Sequence, residues 1–304
     1  MAGHILSIGE CMVELMQAGD GLLKKGYAGD TFNTAYYVRL FLPETITVDY
    51  FTAVGDETVS EEMLAFMAGT GVSTRHIRRI AGRMPGLYMI HLKNGERSFS
   101  YWRSTSAAKC LADDADALRA AIDSADTIVV TGVTLAILSE TAVETLLAEL
   151  RRAKAAGRTV VFDPNIRPRL WSDKTRMLAT ISDGARAATL VMPSFDDEAT
   201  HFGDATVADT IARYRSLGVE NIVVKDGANG ATVAFGAAAP VLVPAAKPTA
   251  IVDTTSAGDS FNGAFLAHLT QHGDPQGAAA FAARVASAVI AHHGALIEKA
   301  LLPA

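Results

Sequence analysis

The chain has 304 residues, of which 49% are hydrophobic and 20% charged, and its formal net charge is -6. This length suits one large α/β domain, and the negative charge argues against a nucleic-acid partner. The two cysteines, Cys11 and Cys110, are too few for a disulfide framework or a metal site, so we expect a cytoplasmic protein. The N-terminus does not resemble a signal peptide, and no apolar run approaches the ~20 residues that span a bilayer, so we expect no membrane partner.

The first elements predict a strand of the main sheet followed by a small sheet outside it. An apolar strand, His4 to Ile8, ends without the Gly-x-Gly-x-x-Gly pattern of dinucleotide-binding folds. Residues 11–27 alternate like strands and are interrupted by three glycines, which suits a separate small sheet. A β-branched strand at Thr47–Val54 and a helix at Ser60–Ala68 then return the chain to the core.

A helix between these strands begins within residues 28–35 and runs to about Leu42. Gly29 permits close approach of the backbone, and Asp30 and Asn33 are three residues apart, so both can face one ligand. Simple capping of the helix by Asp30 or Thr31 is the alternative interpretation of this segment.

A β-hairpin is predicted at 86–103, because Asn94-Gly95 lies between two strand-like runs. Alternation places four side chains on one face of the second strand: Arg97, Phe99, Tyr101 and Arg103. A face that mixes aromatic and cationic groups suits a sugar or a carboxylate, although an exposed edge or a dimer contact fits the pattern equally well.

From Asp113 onward, strands and helices alternate, which predicts βαβ units and a mostly parallel sheet covered on both faces. The predicted elements are helices 114–124, 140–155 and 207–216 and strands 127–131, 159–162, 189–192, 221–225 and 231–235. Ligands of such sheets lie beyond the carboxyl ends of the strands. That rule selects four groups of residues: 163–169, 194–198, 225–230 and 253–261.

These groups have a coherent chemistry, and each also has a structural alternative. Gly227 and Gly230 can let a base or phosphate approach the backbone, or can form an ordinary turn. The acids 196–198 can hold Mg²⁺ through water or charge the first turn of a helix. Arg167 and Arg169 can bind a carboxylate or phosphate, or pair with acids of the protein.

The stretch 253–261 is predicted to be a turn between a strand at Ala250–Val252 and a helix. Its small residues, Ser256 to Gly258, can point backbone N–H groups outward at a helix N-terminus, which makes an anion site. An aspartate inside an anion site is unusual. Asp259 can act as a base toward a hydroxyl that attacks a bound phosphoryl group, or it can cap the helix.

Residues 253–261 resemble the second signature of the ribokinase-like (PfkB) carbohydrate kinases, and 28–35 resemble the first, with Ala28 in place of a glycine. Four further segments are similar to the 2-keto-3-deoxygluconate kinases of that family: 8–15, 85–88, 101–103 and 165–171. The resemblance implies a three-layer α/β/α domain over residues 1–304, with a mostly parallel central sheet. It also implies a small β-sheet lid formed by segments of about 11–28 and 84–104.

The resemblance implies transfer of the ATP γ-phosphoryl group to the 6-hydroxyl of 2-keto-3-deoxygluconate. Asp259 would be the general base, and the amides of Ser256, Ala257 and Gly258 would stabilise the transferred group. The implied sugar-acid site is Gly29, Asp30, Asn33, Tyr88, Tyr101, Arg103, Arg167 and Asp259. The implied nucleotide site is Asn165, Arg167, Ser194, Lys225, Gly227, Gly230 and residues 256–258.

The implied cofactors are ATP and Mg²⁺, with a monovalent cation as a further candidate. The family's Asn-x-x-Glu metal pattern is replaced here by Ser194 to Asp197, so Asp197 or Glu198 would contact the metal, through water. A homo-oligomer formed through the lid is also expected. Three other functions remain open: a kinase of fructose, ribose or a related sugar acid, a sensor without catalysis, and a nicotinamide dehydrogenase.

Overall fold

Eight strands form the central sheet in this computed structural model, which describes residues 3–19, 21–93 and 96–303. The strands are β1 (His4–Ile8), β4 (Thr47–Phe51), β9 (Thr127–Thr131), β10 (Thr159–Asp163), β11 (Leu190–Val191), β12 (Asn221–Lys225), β13 (Ala231–Phe235) and β14 (Val241–Val243). Their order is β14-β13-β12-β11-β10-β9-β1-β4. The six strands from β12 to β4 are parallel, and β13 and β14 are antiparallel to their neighbours.

Helices cover both faces of this sheet, because its parallel strands are apolar on both sides. The helices are α1 (Asp30–Phe41), α2 (Thr58–Gly69), α3 (Ala115–Asp123), α4 (Gly132–Ile137), α5 (Glu140–Ala155), α6 (Lys174–Ala187), α7 (Phe195–Phe202), α8 (Val207–Ser216), α9 (Ala257–His272) and α10 (Pro275–Val289). One apolar core lies between the sheet and α3, α5, α6 and α8. The other lies between the sheet and α1, α2, α9 and α10. This arrangement confirms the predicted three-layer α/β/α fold.

A separate four-stranded sheet, called the small sheet below, completes the predicted fold class. Its strands are β2 (Met12–Gln17), β3 (Leu23–Ala28), β7 (Leu87–Lys93) and β8 (Glu96–Trp102), in the order β3-β2-β7-β8. Strands β7 and β8 pair antiparallel, as the hairpin prediction required. The predicted Asn94-Gly95 turn lies outside the described residues. A third sheet pairs β5 (Ala53–Val54) with β6 (Arg78–Arg79).

The segment Ala250–Val252 is not a strand, so that prediction was wrong. Strand β14 already occupies the sheet edge, and Ile251 is 73% exposed. The backbone N–H groups of Val252 and Asp253 donate instead to the carbonyl of Ile290, just after α10. Helix α9 nevertheless begins at Ala257, so the predicted turn into a helix is present.

In the part of the chain that the structure describes, no helix has the length and apolar character that a membrane span requires.

Candidate active site

The N-termini of α1 and α9 meet at the predicted base. The side-chain Nδ2 of Asn33 donates to Asp259 Oδ2 at 2.8 Å, and the side-chain Oδ1 of Asn33 accepts from the Gly29 backbone amide at 3.3 Å. A Cβ on Gly29 would lie 2.1 Å from the Glu10 carbonyl oxygen, so only glycine fits where α1 begins. The structure therefore brings Gly29, Asn33 and Asp259 together.

Asp30 is held in the same cluster by three donors. Its Oδ2 accepts from Thr131 Oγ1 at 2.6 Å and from the Asn165 side-chain amide at 2.7 Å. Its Oδ1 accepts from the Thr31 backbone amide at 2.8 Å. Thr131 ends β9 and Asn165 follows β10, so neighbouring strand ends fix the carboxylate that begins α1.

The environment of Asp259 suits a base that works near neutral pH. Burial, the negative charge of Asp30 and that of Asp163 raise the pKa of Asp259 to about 7. The hydrogen bond from Asn33 and the charge of Lys225 act in the opposite direction. A carboxylate with a pKa near the working pH can both accept and release a proton readily.

We therefore expect kcat/KM for the acceptor sugar to fall as the pH falls through about 7. Only the ionised carboxylate can accept a proton, so the rate should drop ~10-fold for each unit below that pKa. The profile should be measured from pH 5 to 9 with saturating magnesium–ATP, so that protonation of ATP does not contribute. A rate that stays constant down to pH 5 would contradict the assignment of Asp259 as the base.

The start of α9 has features that suit the anion site expected from the sequence. Ser256 precedes the helix in the left-handed region, with φ 63°. The first intrahelical bond runs from the Ser260 amide to the Ser256 carbonyl at 2.8 Å, and the Ala257 amide donates to the Thr254 carbonyl at 3.3 Å. Among the described residues, the amides of Gly258 and Asp259 therefore have no backbone acceptor. Ser256 Oγ is buried and has no hydrogen-bond partner among the described residues. A phosphate oxygen fits both features.

A polar cluster lies beside this turn. Lys225 donates to Asp163 Oδ2 at 2.8 Å and to Asn262 Oδ1 at 3.1 Å, and Asn262 donates to Asp163 Oδ2 at 2.6 Å. A Cβ on Gly258 would lie 3.6 Å from Lys225 Nζ, and it would meet no other protein atom within 4 Å. Apart from its own helix, the protein therefore leaves room for a side chain at Gly258, which is what a ligand at this turn would require.

We expect Gly258→Ala to lower kcat or raise KM for ATP so that kcat/KM falls ~10- to 100-fold, because the methyl group would displace the phosphate by about an ångström. The melting temperature should stay the same or rise slightly, since alanine favours a helix. Gly29→Ala is the matched contrast, because its Cβ would collide with Glu10 and destabilise the fold. Full activity in Gly258→Ala would contradict the binding of a phosphate group at this turn.

The two glycines after β12 have different roles. Gly230 adopts φ 106°, and its Cβ would lie 2.2 Å from the Val243 carbonyl oxygen, so packing against β14 requires this glycine. Gly227 adopts φ 49°, and a Cβ added there would have no protein atom within 4 Å, so its surroundings are open to a ligand. Ser194, one strand away, immediately precedes α7 and pairs with Lys225 in an isolated β-bridge.

The acids at the start of α7 separate into an accessible and an inaccessible group. Asp197 is partly exposed and lies 3.7 Å from the Arg167 guanidinium; burial raises its pKa although Arg167 lowers it. Glu198 is fully buried, accepts from Tyr214 at 2.8 Å and pairs with Arg213 at 2.5 Å. This corrects the expectation that Glu198 holds a metal, because its carboxylate points into the protein.

The described residues contain no group of three or more His, Cys, Asp or Glu side chains that could hold a metal. Magnesium bound mainly by phosphates and water, with Asp197 as an outer contact, agrees with this donor set, because Mg²⁺ in phosphoryl-transfer sites keeps several waters. Arg167 is 55% exposed and its Nη1 donates to the Ile166 carbonyl, so its guanidinium lies at the mouth of the site.

An aromatic row lies on one face of the small sheet. The Tyr88 and Tyr101 rings are 6.0 Å apart, and Phe99 lies 6.2 Å from Tyr88 and 6.1 Å from Tyr101. Tyr88 is buried and its hydroxyl donates to Glu14, whereas Tyr101 is 51% exposed. Phe99 and Tyr101 therefore share one face of β8, as predicted. The side chain of Arg97 lies outside the described part of the chain.

Arg103 is engaged by the protein at the end of this row. Its Nη2 donates to Glu10 Oε2 in a buried ion pair, in which the Glu10 side chain is 1% exposed and that of Arg103 is 13% exposed. Arg103 therefore lies beside the aromatic row with one end of its guanidinium already fixed. No local pattern in the sequence indicated this partner.

The family model described as "pfkB family carbohydrate kinase" matches residues 2–300. The chain belongs to the pfkB family of carbohydrate kinases. Curated relatives named 2-dehydro-3-deoxygluconokinase are 38% identical: that of Escherichia coli K12 over 310 residues, covering 100% of both chains, and that of Dickeya dadantii over 307 residues, covering 99% of both. The resemblance inferred from the two signatures is confirmed.

Solved structures confirm the pfkB fold. The PfkB protein from Polaromonas sp. JS666 superposes with a TM-score of 0.83 at 27% identity and covers 96% of both chains. A fructokinase with bound ATP from Xylella fastidiosa gives a TM-score of 0.84 at 23% identity over 100% of this chain and 96% of its own.

Four polar residues of this pfkB site were missed by reasoning from the sequence: Glu10, Glu14, Thr131 and Asn262. Thr131 could have been found, because it is the last residue of a predicted strand whose neighbours supplied other candidates. Asn262 lies one turn into α9 and carries no signal apart from its helical position. Glu10 and Glu14 depend on how the small sheet folds back over the core.

Proposed function

We propose that this kinase phosphorylates the 6-hydroxyl of 2-keto-3-deoxygluconate with ATP, giving 2-keto-3-deoxy-6-phosphogluconate and ADP. The observation that carries the proposal is Asp259: a carboxylate with a raised pKa in the same helical turn as an anion site. The relatives named 2-dehydro-3-deoxygluconokinase support the substrate, since that name denotes the same sugar acid.

The chemistry follows from the positions of these groups. Asp259 accepts the proton of the 6-hydroxyl while the hydroxyl oxygen attacks the γ-phosphorus, and the bond from that phosphorus to the β,γ-bridging oxygen breaks. The amides of the first turn of α9 stabilise the negative charge on the transferred group. Asn33 and Asp30 hold the acceptor end in place, and Lys225 lies beside the turn.

ATP and Mg²⁺ are the proposed cofactors. Residues 256–258, Lys225 and Gly227 would border the nucleotide, together with Asn165, Arg167 and Ser194. Magnesium, when bound, would neutralise charge on the phosphates, with Asp197 near it. A monovalent cation is a further proposal, supported by the buried Asp253 carboxylate beside the turn, which accepts from the Thr255 and Gly294 amides at 3.0 and 2.8 Å. A rate that is the same in potassium and tetramethylammonium chloride would reject it.

The preference for an acid comes from the small sheet. Arg103 offers a guanidinium that can bind a carboxylate, and Tyr88 and Tyr101 supply an aromatic surface for the sugar. Kinases of fructose or ribose have no substrate carboxylate for such a group to bind. We propose that the small sheet acts as a lid over the sugar.

A coupled assay of ADP release tests this function with 2-keto-3-deoxygluconate, its galactose-derived epimer, fructose and ribose. We expect the sugar acid to give the highest kcat/KM. A higher value with fructose or ribose would replace the proposal with a neutral-sugar kinase. Binding of ATP and the sugar acid without turnover would instead indicate a sensor.

We also propose that the small sheet forms a homo-oligomer. Strand β8 is an edge of that sheet and exposes Tyr101 and Trp102, at 51% and 57%. Exposed edge strands with aromatic side chains pair readily with another chain. Sedimentation equilibrium should give a multiple of 32.0 kDa, and Trp102→Glu should shift it toward the monomer; a monomeric wild-type protein would contradict the proposal.

A further inference from the structure

The chain passes between the core and the small sheet at four places, and all four meet at one residue. The crossings are residues 9–11, 28–29, 85–86 and 103. Glu10 lies within the first. Its carbonyl oxygen would be 2.1 Å from a Cβ on Gly29, and its Oε1 would be 2.7 Å from a Cβ on Gly86. Arg103, in the fourth crossing, donates to its Oε2.

The Glu10–Arg103 pair is only half formed. One bond joins Arg103 Nη2 to Glu10 Oε2, while Arg103 Nε and Glu10 Oε1 are buried and have no partner among the described residues. These two atoms are the second donor and acceptor of a bidentate arginine–carboxylate pair. Leaving these two atoms unpaired away from water is unfavourable. A small shift of Arg103 relative to Glu10 that joined them in a second hydrogen bond would therefore be stabilising.

We propose that Glu10 is a positioning residue that fixes the orientation of Arg103 toward the sugar-acid carboxylate. Through the same contact it holds together the four crossings between the core and the small sheet, called the hinge below. The inference rests on the proposed function. The Glu10 side chain is only 1% exposed, so we place its action on the ligand through Arg103. Its carboxylate holds one edge of the guanidinium, which leaves Arg103 Nη1 as the group that can face the ligand.

The test is a double-mutant cycle on steady-state kinetics with Glu10→Ala, Arg103→Ala and the double variant. Glu10→Ala should raise KM for the sugar acid at least ~10-fold and change KM for ATP less than ~2-fold, since only the orientation of Arg103 is lost. The double variant should be no worse than Arg103→Ala, because Glu10 acts through Arg103. Glu10→Gln keeps an oxygen acceptor for Nη2 and should recover most of the loss.

Glu140→Ala is the matched control. Glu140 lies on the exposed surface of α5, and the substitution removes its carboxylate from Arg176 of α6. It should leave both KM values unchanged. Effects of Glu10→Ala and Arg103→Ala that simply add, equal changes in the two KM values, or failure of Glu10→Gln to recover would each overturn the proposal.

Hydrogen exchange in the ligand-free protein separates this inference from the proposed function. Glu10→Ala should speed exchange of the β7 and β8 amides, and Glu140→Ala should not, whichever sugar the enzyme uses. Unchanged exchange in Glu10→Ala would overturn the hinge role. Absence of turnover of the sugar acid by the wild-type protein would overturn the proposed function alone.

Discussion

Replacing Asp259 by asparagine should lower kcat by at least ~100-fold, because the amide cannot accept the hydroxyl proton. Asparagine has nearly the same shape and keeps a partner for Asn33, so the sugar and ATP should still bind. The variant should be measured at pH 8, where the Asp259 carboxylate of the wild type, with a pKa of about 7, is ionised. Turnover close to that of the wild type would reject the assignment of Asp259 as the base.

The stability of the same variant separates a base from a structural cap. The folded pKa of Asp259 is raised from its usual 3.8 to about 7, so its contribution to the free energy of unfolding falls as the pH rises between those two values. Asparagine removes that charge, so the variant should be at least as stable as the wild type at pH 8. A catalytic loss with no loss of melting temperature is the expected combination.

Asp274 provides the matched control. It is the N-cap of α10, is exposed, and accepts from the Gln276 amide at 3.1 Å. Asparagine caps helices about as well as aspartate, so Asp274→Asn should leave both stability and kcat near wild type. If the two asparagine variants behaved alike, Asp259 would be no more than another helix-start acid.

Regular elements of this fold were predictable because their ends carry local signals. Helices α5 and α8 have the predicted bounds: Ser139 and Thr206 cap their N-termini through side-chain oxygens, and a glycine follows each C-terminus. Ala250–Val252 carries a strand-like composition, but the position of β14 and the carbonyl of Ile290 decide its structure. Neither contact is visible in a local pattern.

The site divides in the same way. Asp163 and Lys225 could be predicted to lie near each other because parallel strands end at one edge, and they form an ion pair at 2.8 Å. The Glu10–Arg103 pair joins residues 93 positions apart through the fold of the small sheet. The burial of Glu198 depends on Arg213 of another helix. Contacts of this kind follow from tertiary packing, which composition and periodicity do not specify.

Arg103→Ala should raise KM for the sugar acid ~10- to 100-fold, which corresponds to the ~1.5–3 kcal/mol of a hydrogen bond to a charged group. KM for ATP should change less than ~3-fold, because the anion site is built from α9 and β12. Arg103→Lys should recover only part of the loss, since an ammonium cannot reproduce the planar fork of arginine. Arg176→Ala removes an exposed arginine and is the control.

Arg103→Ala also leaves the buried Glu10 carboxylate without its cation, which can destabilise a fold by ~3–5 kcal/mol. Adding Glu10→Gln removes that orphan charge, so the double variant separates a loss of stability from a loss of substrate binding. If the double variant regains the melting temperature but keeps the high KM for the sugar acid, Arg103 binds the carboxylate. If KM for ATP rises equally, or if a neutral sugar suffers the same loss, Arg103 instead supports the small sheet as a whole, and acid specificity must come from Arg167.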